Sequence, residues 1–304
     1  MLGFLNIHKP IGVTSHDVVH RVRRLTGIKQ VGHGGTLDPL AEGVLPVAVA
    51  GACRLLRYLP EAKIYKAEIL LGCTTTTDDT EGETLNQVGP ELIPDEQRVH
   101  EALKKFVGQL DQIPPIYSAI HHQGERLYAL ARKGAVIESI PSRSVLVNSI
   151  ELLSFVSPKV SVRVDCGAGT YIRSIARDLG NELGCGGCLS ALVRERSGAF
   201  HIDDAVTLEE LAQAREAGTL QKYLVAPEIA ILQNPDFLEF RADSETCRRI
   251  NMGQKVEIAQ LPAAIAQAGK RSILLLGEDL LSVCKVESNR LCPEVVIQRR
   301  AKDN

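Results

Sequence analysis

The stretch GHGGTLDPLAEG, Gly32 to Gly43, sets the carboxylate of Asp38 among glycines and a proline. A carboxylate so placed can act as a nucleophile toward an electrophilic carbon, provided it is ionised and aimed. An arginine partner would keep it ionised and fix its direction. The same residues also suit a plain turn, with Asp38 before Pro39 as its initiator. Spacing alone leaves turn and nucleophile both open. A phosphate-cradling loop fits less well, because the spacing is not G-x-G-x-x-G and no GK[ST] follows.

Other candidates for chemistry read more plainly. Cys185 and Cys188 form CGGC, but no second C-x-x-C or close histidine pair completes a zinc site. The chain has 8 cysteines, too sparse for a disulfide scaffold and set in apolar segments. They read as buried reduced thiols of a cytosolic protein. The acidic TTTTDDTEGE, from Thr74, lacks the ligand spacing of a calcium loop and reads as a polar turn between strands. Residues 112–145 are basic, with Arg126, Arg132, Lys133 and Arg143 interleaved with Tyr117 and Tyr128. That mixture suits phosphate pairing and base stacking, and equally an exposed short helix.

The elements that must position these groups follow from periodicity and punctuation. LNIHKPIG reads as a strand and turn. A helix follows, with Thr14 and Asp17 at its start, Val18, Val19, Val22 and Leu25 on one face, and Gly27 as its stop. VLPVAVAGACRLLRYL is apolar and buried, and IYKAEILLG alternates as a half-buried strand. EQRVHEALKKFVG predicts a helix with Val99, Leu103 and Phe106 inward. SVLVNSIELLSFV and KVSVRVDCG predict strands. TYIRSIARDLGNEL predicts a helix with Ile172, Ile175, Ala176 and Leu179 on one face and Arg173 and Arg177 on another. LSALVRERSGAF reads as a strand, and TLEELAQA as a helix with a Thr207–Glu210 capping box. Beyond residue 232, DFLEF, KVEIA, RSILLLG, LLSVCKVE and RLCPEVVIQ read as short strands of a small β-rich unit.

At 304 residues, 44% hydrophobic and 24% charged, the composition is that of a globular chain. The net charge of −2 requires any polyanion to meet a local basic patch. No apolar run reaches the roughly 20 residues of a membrane span, and the N-terminus reads as no signal peptide.

GHGGTLDPLAEGVLPVAVAGACRLL resembles the catalytic motif of TruB-type tRNA pseudouridine synthases. LNIHKPIGVTSHDVV, IYKAEILLGCTTTTDDTEGE, QIPPIYSAIHHQGERLYALARKG and DCGAGTYIRSIARDLGNELGCGG resemble four further motifs of that family, in family order between residues 3 and 200. The resemblance implies an α+β fold: a catalytic core with a mixed, largely antiparallel sheet flanked by helices. It implies residues 1–232 as this core, with an RNA-gripping loop within about 121–145. Residues 233–304 are loosely similar to the family's PUA RNA-binding domain.

The resemblance also implies roles. Asp38 would add covalently to the target nucleoside, Arg173 would pair with Asp38, and Tyr65 would stack under the base and act as a base at the ribose C2′. His33 would fill the space left by the flipped nucleotide, Leu192 would pack in the pocket, and Lys9 would support the site through the Lys-Pro turn. Tyr171, Arg126 and Arg132 would contact substrate. The implied reaction is uridine-to-pseudouridine isomerisation at position 55 of the TΨC loop. It needs no cofactor or metal. The implied partner is the tRNA T-arm, with no membrane and no protein partner, for a cytoplasmic monomer. His8, Gly34 and His121 depart from the family pattern.

Two other classes fit parts of the pattern. An RNA-binding or chaperone protein would need the basic surface but not Asp38, Tyr65 and Arg173 together. A carboxylate-nucleophile hydrolase of small nucleosides would need neither the basic segment nor the C-terminal unit.

Overall fold

The computed structural model describes residues 1–118, 121–122, 125–127, 140–257, 272–288 and 290–299. In chain order, β1 (Gly3–Lys9), β2 (Val31–His33), β3 (Ala41–Val49) and β4 (Lys63–Leu71) precede a hairpin, β5 (Cys73–Thr75) and β6 (Thr84–Gln87). Next come β7 (Gly108–Gln112), the short pair β8 (His121–His122) and β9 (Glu125–Arg126), the long β10 (Arg143–Val156) and β11 (Lys159–Cys166). β12 (Gly187–Ser197), β13 (Phe200–His201) and β14 (Leu224–Val225) complete this part.

Ten of these strands form one sheet, along the path β14-β1-β3-β12-β4-β11-β10-β7, with β13 on β12 and β2 on β3. Every neighbouring pair is antiparallel except β3 with β12. The sheet is thus mixed and largely antiparallel, as the family resemblance implies. The helix Ile172–Leu183 lays Ile172, Ile175, Ala176 and Leu179 on the core that Ala67, Ile69 and Val162 line. The helix Ser15–Thr26 packs Val18, Val19 and Val22 against Leu5, Ile7 and Leu45.

Local signals proved reliable where they were self-contained. Thr14 and Asp17 form a complete capping box, and Gly27 closes that helix in the left-handed region at φ 71°. Thr207 and Glu210 form a second capping box. Other boundaries move. Residues 50–58, read as one buried run with the preceding strand, are a 3-10 segment after β3. LSALVRERSGAF is the end of a strand that starts at Gly187, then a reversal at Gly198 into β13.

The C-terminal strands β15 (Phe237–Arg241), β16 (Val256–Glu257), β17 (Ser272–Leu276), β18 (Leu280–Glu287) and β19 (Arg290–Gln298) make a second sheet, ordered β15-β17-β18-β19-β16. A helix, Ser244–Asn251, interrupts the expected run of strands, started by the Asp243 carboxylate accepting from the Thr246 N–H. Phe237, Leu274 and Ile297 of this sheet share one apolar cluster with Phe4, Val44 and Leu55. Arg54 Nη1 donates to the Val296 carbonyl at 2.9 Å across the same contact.

The glycines of the Asp38 stretch have reasons internal to the protein. Gly43, at φ 101°, lies against the Arg194 backbone where β3 meets β12, and a Cβ there would collide with the Arg194 carbonyl oxygen. Gly34 faces Leu56, Leu59 and Pro46. Gly43→Ala is therefore expected to lose about 3 kcal/mol or more of stability, since it adds left-handed strain to a backbone collision. Denaturant titration of the variant checks this; an unchanged midpoint would refute it.

Candidate active site

Asp38 lies in the loop between β2 and β3, and hydrogen bonds fix that loop along its length. Gly34 N donates to the Pro46 carbonyl at 2.8 Å and Ala41 N to the Asp38 carbonyl at 3.0 Å. Gly12 N donates to the Pro39 carbonyl at 2.9 Å, tying in the Lys-Pro turn. Ser15 Oγ, buried at the helix start, donates to the Leu37 carbonyl at 3.0 Å and accepts from Leu37 N at 2.8 Å. The nucleophile candidate is thus carried on backbone that has few ways to move.

Arg173, in the first turn of its helix, reaches this loop. Its Nε is 3.0 Å from Asp38 Oδ2. Nη1 donates to the Thr77 carbonyl at 3.1 Å and Nη2 to the Tyr117 carbonyl at 2.9 Å. Asp79 Oδ2 lies 3.7 Å from Nη1. The arginine side chain is 5% exposed: its helix face, apart from the apolar one, is turned not to solvent but to these partners. Charge matching makes that burial tolerable.

Asp79 and Arg194 were not singled out by sequence reasoning. The TTTTDDTEGE turn joins β5 to β6 as expected, but it carries Asp79 inward. Asp79 Oδ1 accepts from Thr77 Oγ1 at 2.5 Å and from Glu81 N at 3.1 Å. Neighbouring Asp78 pairs with Arg177 at 3.0 Å. Four threonines before two aspartates were the available signal, since hydroxyls can fix an inward carboxylate. Arg194 is fully buried on β12. Its Nε donates to the Val44 carbonyl at 2.7 Å and Nη2 to the Gly35 carbonyl at 3.1 Å, clamping both ends of the Asp38 loop. Strand parity with Leu192 was the signal here: two residues on, Arg194 shares its face.

Tyr65 stands on β4 beside Arg194 in register, 7% exposed. Burial raises its phenol pKa, and Arg194 partly offsets this. Leu192, on β12, pairs with Ala67 of β4 and Ala41 of β3 and closes the same side. Lys9 is buried, its Nζ donating to the Pro10 and Val13 carbonyls at 2.9 and 2.7 Å. Burial lowers its pKa to about 8, with Asp38 the largest influence in the other direction. His33 is half-buried with Nδ1 unpartnered, and desolvation and Arg194 lower its pKa. Tyr171 precedes the Arg173 helix, bracketed by Gln112, which accepts from its N at 2.8 Å and donates to its carbonyl at 3.1 Å. Arg126 lies in β9, its side chain outside the described residues, as is all of Arg132.

The Asp38 carboxyl is pulled both ways. Its side chain is 36% exposed, yet burial of its surroundings raises its pKa, opposed by Arg173 and reinforced by Asp79. An acid with a raised folded pKa favours its protonated form. Ionising Asp38 therefore subtracts stability as pH rises through the window between the ordinary 3.8 and its raised value. Asp79→Asn removes a like charge, so the acid limb of kcat/KM is expected to move to lower pH, with a lower plateau from the weakened Arg173. A pH–rate profile checks it; a limb shifted upward contradicts the arrangement.

Comparison with known proteins gives this arrangement its class. Residues 23–172 match the profile of the TruB family pseudouridylate synthase N-terminal domain. Residues 173–231 match that of the tRNA pseudouridylate synthase B C-terminal domain. The fold is shared with a chain in the structure of an H/ACA RNP bound to a substrate RNA containing 2′-deoxyuridine, at TM-score 0.71 and 24% identity over 99% of this chain and 86% of that one. A chain of a Cbf5-Nop10-Gar1 complex aligns with TM-score 0.71 and 25% identity over the same shares. The family matches and the shared fold define a pseudouridylate synthase, an isomerase.

Whole-chain relatives narrow the class. The tRNA pseudouridine synthase B of Gloeothece citriformis is 43% identical over 310 residues, 98% of this chain and 97% of that protein. That of Gloeobacter violaceus is 42% identical over 300 residues, 98% of this chain and 99% of that protein. The chain belongs to the TruB family of pseudouridylate synthases.

Proposed function

We propose that this protein converts uridine to pseudouridine in tRNA, at position 55 of the TΨC loop, with Asp38 as its nucleophile. The observation that carries the mechanism is the 3.0 Å approach of Arg173 Nε to Asp38 Oδ2, on a loop latched at both ends. The target base must leave its stack, at a few kcal/mol of unstacking, before any side chain reaches it. Asp38 then forms a covalent bond to the nucleoside through a carboxylate oxygen, at C1′ or C6. The N1–C1′ bond breaks, the base rotates, and C5 bonds to C1′. The C5 proton leaves, N1 gains one, and the Asp38 bond is released, so product and substrate are isomers.

Tyr65 supplies a flat face for the base, and Leu192 completes an apolar wall beside it. Lys9 and Arg173 hold positive charge around the carboxylate that must stay ionised. His33, Tyr171, Arg126 and Arg132 contact substrate in this reading. Residues 1–232 form the catalytic domain and 233–304 a PUA-like accessory domain that adds RNA affinity. The protein acts on tRNA in the cytoplasm as a monomer. Among the described residues no helix is long and apolar enough to cross a membrane.

The test is an unmodified tRNA transcript incubated with the protein, with pseudouridine mapped along the chain. Product at position 55 is expected. Product confined to another position would overturn the site assignment. Binding without product anywhere would return the chaperone reading.

A further inference from the structure

Lys63 opens β4 two residues before Tyr65, so the two side chains leave the same face of the strand. Register sets it between Cys166 of β11 and Ser197 of β12. Its stem lies over the Asp38 loop: a Cβ on Gly35 would be 3.8 Å from Lys63 Cε and 3.7 Å from Arg194 Nη1. Gly35 holds φ at 110°, a conformation that side chains rarely adopt, and the space beside it is left to these two cations.

The other cations of the site are committed. Lys9 donates to two carbonyls. Arg173 has two carbonyls and two carboxylates. Arg194 has the Gly35 and Thr36 carbonyls of the loop and the Val44 carbonyl of β3. Lys63 is half-buried, yet among the described residues no hydrogen bond or ion pair holds its Nζ. Burial and the Arg194 charge both lower its pKa, against weaker influences of Cys166 and Glu61. A lysine without a partner ordinarily extends its head to water. Keeping it partly desolvated beside a second cation is unfavourable unless an anion arrives.

We propose that Lys63 is a phosphate-binding residue of the active site, its ammonium taking a backbone phosphate of the RNA strand where it passes over Gly35 beside the flipped nucleotide. The proposal rests on the reading that the chain acts on RNA. It makes Lys63 a determinant of affinity and strand placement, distinct from the groups that meet the base.

The test uses full-length Lys63→Met, which keeps the stem that packs over Gly35, and Lys63→Arg, which keeps the charge. Affinity for an unmodified tRNA transcript is measured across salt concentrations, and single-turnover rate at saturating enzyme. Lys63→Met is expected to weaken binding about tenfold and to lower the slope of log affinity against log salt by about one ion. Its saturating rate should stay within about twofold of wild type, and Lys63→Arg should restore the slope. A methylphosphonate at one phosphate flanking the target uridine should weaken wild type equally and Lys63→Met no further. An unchanged salt slope, or additive losses at every flanking phosphate, would overturn the proposal. If wild type makes no pseudouridine but the slope still falls with Lys63→Met, the enzyme reading fails and the phosphate contact stands.

Discussion

Asp38→Asn is expected to bind tRNA as wild type does and to lower pseudouridine formation by at least about a thousandfold. The amide keeps the size of the side chain and can still accept from Arg173, but it cannot form the covalent bond the reaction needs. A loss on that scale corresponds to more than about 4 kcal/mol of transition-state stabilisation. The variant should also fold well. Burial raises the Asp38 pKa despite Arg173, so the ionised carboxylate is a net burden on the folded state near neutral pH. Its melting temperature should match or exceed that of wild type. Residual activity within tenfold of wild type would remove Asp38 from the nucleophile's role.

Arg173→Met is expected to damage both activity and stability. The arginine lies between two carboxylates, at 3.0 Å from Asp38 and 3.7 Å from Asp79, and satisfies the carbonyls of Thr77 and Tyr117. Removing it leaves an uncompensated buried charge, at a cost of about 3–5 kcal/mol. The two acids then repel without mediation, and the Asp38 pKa rises further. Activity at neutral pH should fall about a hundredfold or more and recover in part as pH rises through the new Asp38 value. A loss equal at all pH values would mean that Arg173 acts on the substrate and not through Asp38. Denaturant titration beside the pH profile separates the two effects.

How much of this could be read from the chain depended on where each signal lay. The capping boxes of Thr14 and Thr207 and the stop at Gly27 are local, and the structure repeats them residue for residue. The sheet strands alternated clearly enough to be seen. Asp38, Tyr65 and Arg173 owed their selection to ordered motifs, since each alone reads as a turn, a core aromatic and a solvated cation. Asp79 escaped because a turn rich in threonine and acid looks like a solvated loop until its hydroxyls are seen to hold one carboxylate inward. Arg194 escaped because a charged residue on a strand is ordinarily assigned to solvent, and only tertiary contacts 150 and 159 residues away satisfy its donors. The Ser244–Asn251 helix carried its own start signal in Asp243, but strand patterns on both sides masked it.

The parallel pairing of β3 with β12, with the Arg194 clamp beside it, has a consequence for the timing of synthesis. Translation delivers Asp38 early and Arg194 much later, and domains fold as units while the chain emerges. A ribosome that has released only the first half of this protein presents Asp38 on a loop already tied to the Lys-Pro turn, the first helix and β3, but with neither Arg173 beside it nor the Arg194 clamp. The Asp38–Arg173 pair and the Arg194 clamp are therefore complete only once the strand bearing Arg194 has joined the sheet, and chains truncated before it are expected to make no pseudouridine.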